Sequence, residues 1–489
     1  MLKIFKANIA YAIGSAASSA ALFLLIPYLI NSLSPDEYGA WALFEIGILF
    51  LAMLMVSGMD VGLMREYWFL ESEGERRRLS GTIFITMLVW GGFITSTALM
   101  ILWLLRRNVL TEVWQFDLAL SSLILVFLIG FMEAIFSLLL SLLRIREEAI
   151  RFVVLSVGRM LLFLLGSITG VQLGYGVNGA LAGRLIAGVV GVALAIGMIK
   201  NYLAFVFERD YFYRVIRYGL PLLPTSFASY LLLASDRYIL NLFHTLEVVA
   251  VYSFMYKVAT SLEILVTRPF ALDWAPRRFK IATQPNPGQK YAQALLIYCF
   301  IAIGFALLIL ATVLAVYVWF VPSIYWSGIT HLPIILAAYV VFGLSYPLNV
   351  GIMLKDRTYF LPYISWLSAG VCLLLNFWWI PQYGMAGAAW ATLVSYILWT
   401  GSITVISLKL YPIDYPRGSL LAILLGAALS YGGIIMIDRW WITIDQWWSV
   451  KMLLIGLLIK GSWVLLIMGA VGYLLWGEKL KQFIKQKQT

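Results

Sequence analysis

The chain has 489 residues, of which 62% are hydrophobic, 15% aromatic and only 12% charged. An ordinary soluble domain carries about 25% charged residues, so this composition excludes a soluble domain of useful size and indicates that lipid is the main solvent. The formal net charge of +11 does not imply a nucleic-acid partner, because basic residues concentrate in the cytoplasmic loops of membrane proteins.

The predicted helices fill the chain from end to end. Apolar windows of 18 or more residues recur, each long enough to cross a hydrocarbon core of roughly 30 Å. We predict an all-α polytopic membrane protein with fourteen transmembrane helices, at residues 8–31, 40–63, 80–105, 118–143, 151–173, 177–200, 219–243, 248–272, 291–320, 330–354, 359–380, 385–408, 418–437 and 450–476. The first has the basic flank of a signal peptide, but its apolar part is too long and no cleavage site follows, so we expect it to be retained.

Basic residues are unevenly divided between the two sets of loops. With the N-terminus in the cytoplasm, the inner segments hold most of the 35 lysines and arginines, whereas the outer loops hold Arg106, Arg107, Arg439 and Lys451. Short loops rich in lysine and arginine stay on the cytoplasmic side. We therefore predict that both termini are cytoplasmic, with contact to anionic membrane lipids as a second role of the basic loops.

The two halves of the sequence are similar to each other. At an offset of about 210 residues, LINSLSPDEYGAWAL aligns with ILNLFHTLEVVAVYS, and GYGVNGALAGRL aligns with QYGMAGAAWATL. This pattern predicts two pseudo-symmetric six-helix lobes, at 1–200 and 218–410, joined by a cytoplasmic linker at 201–217. Two extra helices and a basic tail follow at 411–489. Transporters with such repeats bind substrate near the bilayer midplane, between the repeats.

Two of the aligned segments have a structural interpretation, which we prefer to a catalytic one. The stretch SPDE at 34–37 is typical of a capping box with proline at the first helical position. Gly176, Gly179 and Gly183 give a small-residue face on which helices pack closely.

Ionisable side chains recur within the predicted spans, although each costs on the order of 3 kcal/mol at the bilayer centre. Such groups usually face a cavity or a charged partner. They are Glu45, Asp60, Glu133, Arg159, Arg184, Asp236, Arg237, Lys257, Glu263 and Lys460, with Arg65 and Arg268 at cytoplasmic span ends. Asp236 and Arg237 point about 100° apart on a helix, so each needs a partner across a helix interface. Lys460 is expected to snorkel or to face lipid headgroups.

Four basic side chains are the predicted substrate-binding residues. Arg237 and Lys257 lie about 10 and 14 Å below the outer ends of their spans, so both can reach one cavity. Arg65 and Arg268 would lie near its inner mouth. A cavity with these side chains would attract an anion such as a phosphate.

Asp236, Glu45 and Asp60 are predicted to couple an ion or to pair with these cations. The alternative is a set of buried structural ion pairs. These would join Arg237 to Glu45, Lys257 to Glu263 or Asp60, and Glu133 to Arg159 or Arg184. For Arg237 and Lys257 both alternatives stay open, whereas Arg159 and Arg184 fit structural pairing better because their spans are not central.

No residue pattern indicates catalysis, a metal or a cofactor. Cys299 and Cys372 lie in separate apolar runs, and His244 and His331 are the only histidines. These spacings fit neither a disulfide framework nor a zinc site. The sequence also lacks the phosphate-binding pattern GxxxxGK[ST], so ATP hydrolysis is not expected. We predict a protein that is not an enzyme and that uses no cofactor.

Several stretches resemble the Wzx-type polysaccharide flippases of the MOP superfamily. The longest is YGLPLLPTSFASYLLLASDRYILNLFHTLEVVAVYSFMYK, in which a proline-rich helix start precedes the Asp236-Arg237 pair. LSPDEYGAWALF, GMDVGLMREYW, YPLNVGIMLKDRTYF and IPQYGMAGAAWATLVSYI are similar to other parts of that family. The resemblance covers most of the chain, and the final two spans resemble the fourteen-span lipid II flippase branch, whereas many Wzx proteins have twelve.

The resemblance implies transport of a polyprenyl-pyrophosphate-linked oligosaccharide from the cytoplasmic to the outer leaflet, by alternating access, for surface polysaccharide synthesis. It implies a location in the inner membrane of a prokaryote, and it maps the family's cationic cavity onto Arg237, Lys257 and Arg65. The implied partners are the lipid-linked substrate, membrane lipids, a coupling H⁺ or Na⁺, a glycan polymerase and glycosyltransferases, but no nucleic acid. By analogy, the helices at 418–476 would help to form a groove for the lipid tail.

Three other functions stay open. A MATE-like drug or cation antiporter shares the architecture, but its binding centre should be acidic, whereas the candidate residues here are mainly basic. A membrane glycan polymerase or ligase needs an external catalytic loop, whereas the predicted outer loops are short. A scaffold for glycan-assembly enzymes would not need buried charges.

Overall fold

A computed structural model describes residues 24–105, 120–442 and 450–488, and all regular elements in these ranges are helical. After helical residues 24–32, the helices are α1 (Pro35–Val56), α2 (Met59–Tyr67), α3 (Glu73–Leu105), α4 (Leu120–Ile145), α5 (Ala149–Gly170), α6 (Gly176–Ile199), α7 (Arg209–Gly219), α8 (Leu223–Phe243), α9 (Leu246–Leu262), α10 (Arg268–Ala282), α11 (Pro287–Phe320), α12 (Leu332–Leu348), α13 (Val350–Leu354), α14 (Phe360–Leu410), α15 (Arg417–Ile442) and α16 (Val450–Gln488). Short π turns join α5 to α6 and α9 to α10, and a 3₁₀ turn joins α7 to α8.

Ten helical stretches of the described residues are long and apolar enough to cross a membrane. Two of them, Ala149–Tyr202 and Phe360–Leu410, run through a sharp break at a glycine with positive φ. The predicted span 8–31 lies mostly outside the described residues. The chain is therefore an all-helical, multi-pass membrane protein, as the composition predicts, and the count of fourteen spans stays a prediction.

The chain divides into two compact units between Ala250 and Val251. In the first unit, a core of fully buried side chains joins α2, α3, α4 and α7, and includes Leu63, Leu79, Leu143 and Val215. In the second unit, a core that includes Ala311, Ile434 and Met468 joins α11 to α15 and α16. The lobe boundaries predicted from the internal repeat stay a prediction.

Helix α1 begins with the predicted capping box. Ser34 Oγ accepts a hydrogen bond from the Glu37 N–H (3.3 Å), and the Glu37 carboxylate accepts one from the Ser34 N–H (3.0 Å). Pro35 is the first helical residue. The reciprocal bonds satisfy two backbone donors at the helix start, so the structural interpretation of this stretch is confirmed.

Glycines bring α5 and α6 into close contact. A Cβ atom on Gly179 would lie 2.3 Å from the carbonyl oxygen of Gly170, and one on Gly183 would lie 2.2 Å from the backbone of Gly166. Only residues without a side chain permit this approach, so the predicted packing role of Gly179 and Gly183 is confirmed.

Two glycines at aligned positions of the two halves have the same backbone conformation. Gly176 has φ 50° and ψ −133°, and Gly384, at the aligned position of QYGMAGAAWATL, has φ 54° and ψ −128°. Residues with a Cβ atom avoid this region. The shared conformation supports the internal repeat at this position.

The second predicted span, 40–63, is not one continuous helix. α1 ends at Val56, Ser57 and Gly58 take left-handed conformations with φ 46° and 74°, and α2 then begins. A Cβ atom on Gly58 would lie 2.3 Å from the carbonyl oxygen of Gly219, so the tight contact requires glycine. The span prediction missed this break, which places Asp60 and Arg65 on a short helix of their own.

Candidate transport site

Asp60 lies in the first turn of α2 and lines a cavity of about 340 Å³ in the first unit. The other walls come from the end of α1, from Ser137 on α4, and from Leu222, Leu223 and Ser226 at the start of α8. Asp60 is the one charged residue among the described residues that line this cavity. A carboxylate at a helix N-terminus is stabilised by the helix dipole.

Arg65 lies five residues further along α2, with 48% of its side chain exposed. Its guanidinium carbon lies 4.4 Å from the ring centroid of Tyr218, and its Nη1 atom lies 3.3 Å from the carboxylate of Glu66. Arg65 thus contacts an aromatic ring and the neighbouring carboxylate while half of its side chain stays exposed, and its predicted role at the inner mouth of a cavity stays a prediction.

Asp236 and Arg237 lie on α8 and are buried, with 1% and 9% of their surfaces exposed. The Asp236 carboxylate accepts a hydrogen bond from the backbone N–H of Arg237 (2.9 Å). Both members of this pair are therefore buried within the protein, and their predicted partners across a helix interface stay a prediction.

Two tyrosines fix α8 against the middle of α1. The Tyr230 hydroxyl donates to the carbonyl oxygen of Ile46 (2.6 Å), and the Tyr238 hydroxyl donates to that of Leu43 (3.1 Å). Gly47 gives Tyr238 room, because a Cβ atom there would lie 3.2 Å from its hydroxyl oxygen. The sequence reasoning missed these tyrosines, since nothing in their spacing distinguishes them from packing residues.

Glu45 belongs to a four-residue ion network in the first unit. Arg184 donates to Glu45 on α1 and, from Nε and Nη2, to Glu133 on α4 (3.1 and 3.0 Å). Arg159 on α5 also donates to Glu133 (2.5 Å). Two carboxylates thus balance two guanidinium groups. The predicted pairing of Glu133 is confirmed, and Glu45 contacts Arg184, a partner that the sequence reasoning did not offer it.

The predicted residues of the second unit lie near a π turn. Lys257 lies on α9 and is partly buried. The π turn Glu263–Thr267 follows, and Arg268 begins α10 with 51% of its side chain exposed. Arg268 Nη2 lies 3.5 Å from the Glu263 carboxylate. Whether these cations share a cavity with Arg237 stays a prediction.

A larger cavity of about 710 Å³ in the first unit is almost entirely apolar. Its walls come from the α1–α2 break, α3, α7 and the segment before α7, and include Val89, Trp90, Phe93 and Phe212. Ser57 and Thr86 are the polar residues in its wall. A charged headgroup would be unpaired there, so this cavity is not the predicted cationic site.

Lys460 differs from its prediction. It is 5% exposed, and its Nζ atom lies 2.8 Å from the Asp438 carboxylate on α15. It therefore neither snorkels nor faces headgroups, because an ammonium buried in an apolar helix pair is stabilised better by a carboxylate. The prediction overlooked Asp438, which lies one residue beyond the predicted span 418–437.

At the ends of α2 and α4, Tyr67 and Arg146 form a polar contact outside the membrane-spanning stretches. Arg146 donates to the Tyr67 hydroxyl (2.6 Å) and to Glu73 (2.5 Å). Burial raises the pKa of Tyr67, and the charge of Arg146 offsets part of this rise. Tyr67 therefore stays neutral at physiological pH, and Arg146 ties α2 to α3 by bonding to both.

Within the described ranges, no group of three histidine, cysteine or acidic residues could hold a metal ion.

A family model described as "Polysaccharide biosynthesis protein" matches residues 5–281, more than half of the 489 residues. The chain belongs to the polysaccharide biosynthesis protein family. The match covers α1 to α9 and most of α10, and thus every candidate residue from Glu45 to Arg268. No curated protein matches the chain by sequence.

Solved transporters share the fold of this family member. The lipid II flippase MurJ, in an inward closed conformation, superposes with a TM-score of 0.74 at 14% identity, covering 96% of this chain and 100% of the flippase. The bent form of the Vibrio cholerae MATE transporter VcmN gives a TM-score of 0.54 at 16% identity, covering 83% and 96%. An inward-facing multidrug resistance MATE transporter of the MOP superfamily gives 0.59 at 14% identity, covering 82% and 94%. The chain therefore shares the fold of these transporters, one of which is a member of the MOP superfamily, the superfamily of the sequence resemblance.

Proposed function

We propose that this protein is a flippase that moves a lipid-linked, polyprenyl-pyrophosphate oligosaccharide from the cytoplasmic to the outer leaflet by alternating access of two lobes. The observation that carries the proposal is the agreement of two comparisons. The family is one of polysaccharide biosynthesis, and the fold matches that of a lipid II flippase over 96% of the chain.

Coverage favours a flippase over a drug antiporter. The flippase superposes over 96% of this chain, whereas the two MATE transporters cover 83% and 82%. The segment at 411–489 holds the two helices that follow the twelve of the lobes. Its length is about equal to the difference between the share of this chain that the flippase covers and the share that the MATE transporters cover. We assign these helices to a groove for the polyprenyl tail.

The chemistry of the cargo fits the charged residues of the central helices. A pyrophosphate cannot cross hydrocarbon unpaired, because each unsatisfied polar group costs several kcal/mol. Arg159 and Arg184 are already bonded to carboxylates, and we assign them a structural role. Arg237, Lys257, Arg65 and Arg268 are the cations that we assign to the passage, with the first two near the midplane and the last two at its inner mouth.

The proposed topology has fourteen spans. If each of the two broken stretches counts as two spans, and α8 and the first predicted span are added, the ten stretches become fourteen. With the basic loops inside, we place both termini in the cytoplasm. The resemblance to Wzx-type flippases implies the inner membrane of a prokaryote as the location. The glycosyltransferases that build the glycan and a polymerase that extends it are then its functional partners.

Transport by reconstituted protein tests the proposal. We expect Arg237→Ala and Lys257→Ala proteins to move a lipid-linked oligosaccharide in vesicles about ten- to a hundredfold more slowly, because a hydrogen bond to a charged group is worth about 1.5–3 kcal/mol. Arg277→Ala is the matched control, since Arg277 is an exposed residue paired with Asp273 on α10. Parental rates for both central variants would refute the cationic passage.

A MATE-like antiporter is the second candidate, because MATE transporters share the fold. Its cargo would be cationic, so an acidic centre would bind it. Vesicles that accumulate a cationic dye in exchange for H⁺ or Na⁺, but do not move the lipid-linked glycan, would decide for this alternative.

A further inference from the structure

We propose that the apolar cavity of about 710 Å³ in the first unit binds an acyl chain of an anionic phospholipid, and that Arg209 at the start of α7 holds the headgroup outside it. The cavity lies between α3 and the apolar face of α7. Its walls include Ile85, Val89 and Phe93 of α3, Phe212 and Ile216 of α7, and Leu220 of the following turn. This lipid is distinct from the cargo, so its binding goes beyond the proposed function.

The polar side chains in the cavity wall are bonded within the protein. Trp90 Nε1 donates to Ser57 Oγ (3.2 Å), and Ser57 Oγ donates to the carbonyl oxygen of Leu54. Thr86 Oγ1 donates to the carbonyl oxygen of Thr82 (2.8 Å). Water or a polar ligand would therefore find few hydrogen-bond partners here. A hydrocarbon chain needs none, and its contacts with the walls replace those that it makes in the bilayer.

Contacts at both ends of α7 fix the cavity walls. In the segment before α7, the Thr82 hydroxyl donates to the Val206 carbonyl oxygen (3.2 Å) and accepts from the Glu208 N–H (3.1 Å). At the other end, a Cβ atom on Gly219 would lie 2.3 Å from the carbonyl oxygen of Gly58. Helix α7 is thus held against α3 and the α1–α2 break without filling the space between them. The cavity is present before a ligand binds, as is usual for sites of this size.

The open side of the cavity fits a lipid chain of one leaflet. Val89 and Phe93 are 68% and 61% exposed on α3, a helix long and apolar enough to cross a membrane. Apolar side chains exposed on such a helix face lipid. From Ile85 to Phe93, α3 rises about 12 Å, which lies within one leaflet of a hydrocarbon core of roughly 30 Å. A fatty acyl chain spans one leaflet, whereas a polyprenyl tail is longer, so a phospholipid fits this wall better than the proposed cargo does.

Arg209 is placed to bind the headgroup. It precedes Phe212 by three residues, so it lies on the same face of α7, one turn before the apolar wall. Its Nη2 atom donates to the Tyr213 hydroxyl (3.0 Å). Because this partner is neutral, the guanidinium can also form charge-assisted hydrogen bonds to a phosphate. Helix α7 carries three arginines and one acid, and a helix with a basic and an apolar face lies in the membrane interface.

Helix α3 shows the same order of charge and apolar wall. Arg78 lies about 10 Å along α3 from Ile85, the first residue of the wall on this helix. Its Nη1 atom lies 3.4 Å from the carboxylate of Glu208, which directly precedes Arg209. The charged ends of α3 and α7 are thus adjacent, and the apolar walls follow on both helices. A phospholipid has this order of headgroup and chain.

Photo-cross-linking of the purified full chain in detergent tests the site. The probe is a phosphatidylglycerol with a diazirine in its acyl chain, and mass spectrometry after proteolysis locates the label. We expect label on α3 between Ile85 and Phe93 and on α7. A phosphatidylcholine with the same chain, below saturation, should label these segments about fivefold less, because one arginine near the surface favours an anionic lipid by this factor.

Two variants with matched controls separate the chain from the headgroup. Val89→Trp should fill the cavity and lose the label of both lipids, whereas Met100→Trp, at an exposed position of α3 outside this wall, should keep it. Arg209→Gln should lower labelling by phosphatidylglycerol about fivefold and leave that by phosphatidylcholine unchanged. Arg214→Gln removes the same charge about 140° around α7 from Arg209 and should have little effect.

Three results would overturn this site: label outside these segments, Val89→Trp labelled like the parent, or equal effects of Arg209→Gln and Arg214→Gln. Competition identifies the occupant. Excess unlabelled phosphatidylglycerol should remove the label, and if only a polyprenyl phosphate removes it, the cavity binds the tail of the cargo instead. Arg209 is exposed, so its variant tests the headgroup contact even if Val89→Trp does not fold. No transport is measured, so failure here leaves the proposed function untouched.

Discussion

Arg184 approaches Glu133 with two nitrogen atoms, Nε at 3.1 Å and Nη2 at 3.0 Å, while its third nitrogen donates to Glu45. One guanidinium thereby joins α6 to both α4 and α1. Arg159 contacts the same oxygen of Glu133, and its guanidinium carbon lies 4.4 Å from the ring centroid of Phe136. A network that balances its own charges can lie in the membrane without a ligand or a lipid headgroup.

This network should tolerate the loss of a pair better than the loss of one member. Arg184→Met leaves two carboxylates against one guanidinium, and we expect it to lower the free energy of unfolding by about 3–5 kcal/mol. Glu45→Gln/Arg184→Met removes one charge of each sign and leaves Glu133 paired with Arg159. The double variant should therefore recover about 0.5–3 kcal/mol relative to Arg184→Met, measured by thermal unfolding in detergent.

The same double variant separates two roles of Glu45. If Glu45 has only a structural role, the double variant should retain transport close to the parental rate in vesicles. Glu66→Gln is a suitable control, because its partner Arg65 is half exposed and the pair contributes little. A double variant that is stable but does not transport would instead indicate that Glu45 takes part in ion coupling.

Loss of the two tyrosine hydroxyls that bond α8 to α1 should lower the free energy of unfolding less than Arg184→Met does. Tyr230→Phe and Tyr238→Phe each remove one hydroxyl that donates to a backbone carbonyl, at a net cost of about 0.5–1.5 kcal/mol. Because the carbonyls keep their helical hydrogen bonds, the double variant should fold. Tyr213→Phe on the exposed face of α7 should change the stability little. Unchanged thermal stability of the double variant would show that these contacts do not hold the two helices together.

The sequence predicted what depends on local pattern. The capping box at Ser34 and Glu37 needs four residues in order, and the glycine packing of α5 on α6 needs only small residues at regular spacing. Composition and apolar windows alone identified a multi-pass helical protein. These features require no knowledge of which helices are neighbours.

Features that depend on tertiary contacts were missed. Glu45 and Arg184 are 139 residues apart, and periodicity cannot choose Arg184 over Arg237 as the partner. The break after α1 was missed because Ser57 and Gly58 occur within an apolar window, and hydropathy does not register a left-handed backbone. Lys460 was expected to snorkel or to face headgroups because its partner was not considered: Asp438 lies one residue beyond the predicted span 418–437, where an acid usually reaches water.

The buried pair between the last two helices gives a test that needs no cargo. Lys460→Ala leaves the Asp438 carboxylate without its cation, so we expect a loss of about 3–5 kcal/mol in stability. Lys460→Met/Asp438→Asn removes both charges and should lie close to the parent, because apolar packing replaces a buried ion pair at little cost. Limited proteolysis of the α15–α16 region and thermal unfolding measure both variants. Equal stability of Lys460→Ala and the parent would mean that lipid or water solvates this site.

The glycine at the break of α14 should be intolerant of any side chain. Gly384 has φ 54° and ψ −128°, a region that residues with a Cβ atom rarely occupy, so Gly384→Ala should cost about 1–3 kcal/mol. Gly370 on the same helix is the control: a Cβ atom there meets nothing within 4 Å, and alanine is the better helix former by about 1 kcal/mol. Gly370→Ala should therefore raise the thermal midpoint or leave it unchanged, while Gly384→Ala lowers it. If both substitutions shift the midpoint in the same direction, the break at Gly384 does not depend on its left-handed backbone, and the matching conformation at Gly176 loses its value as support for the repeat.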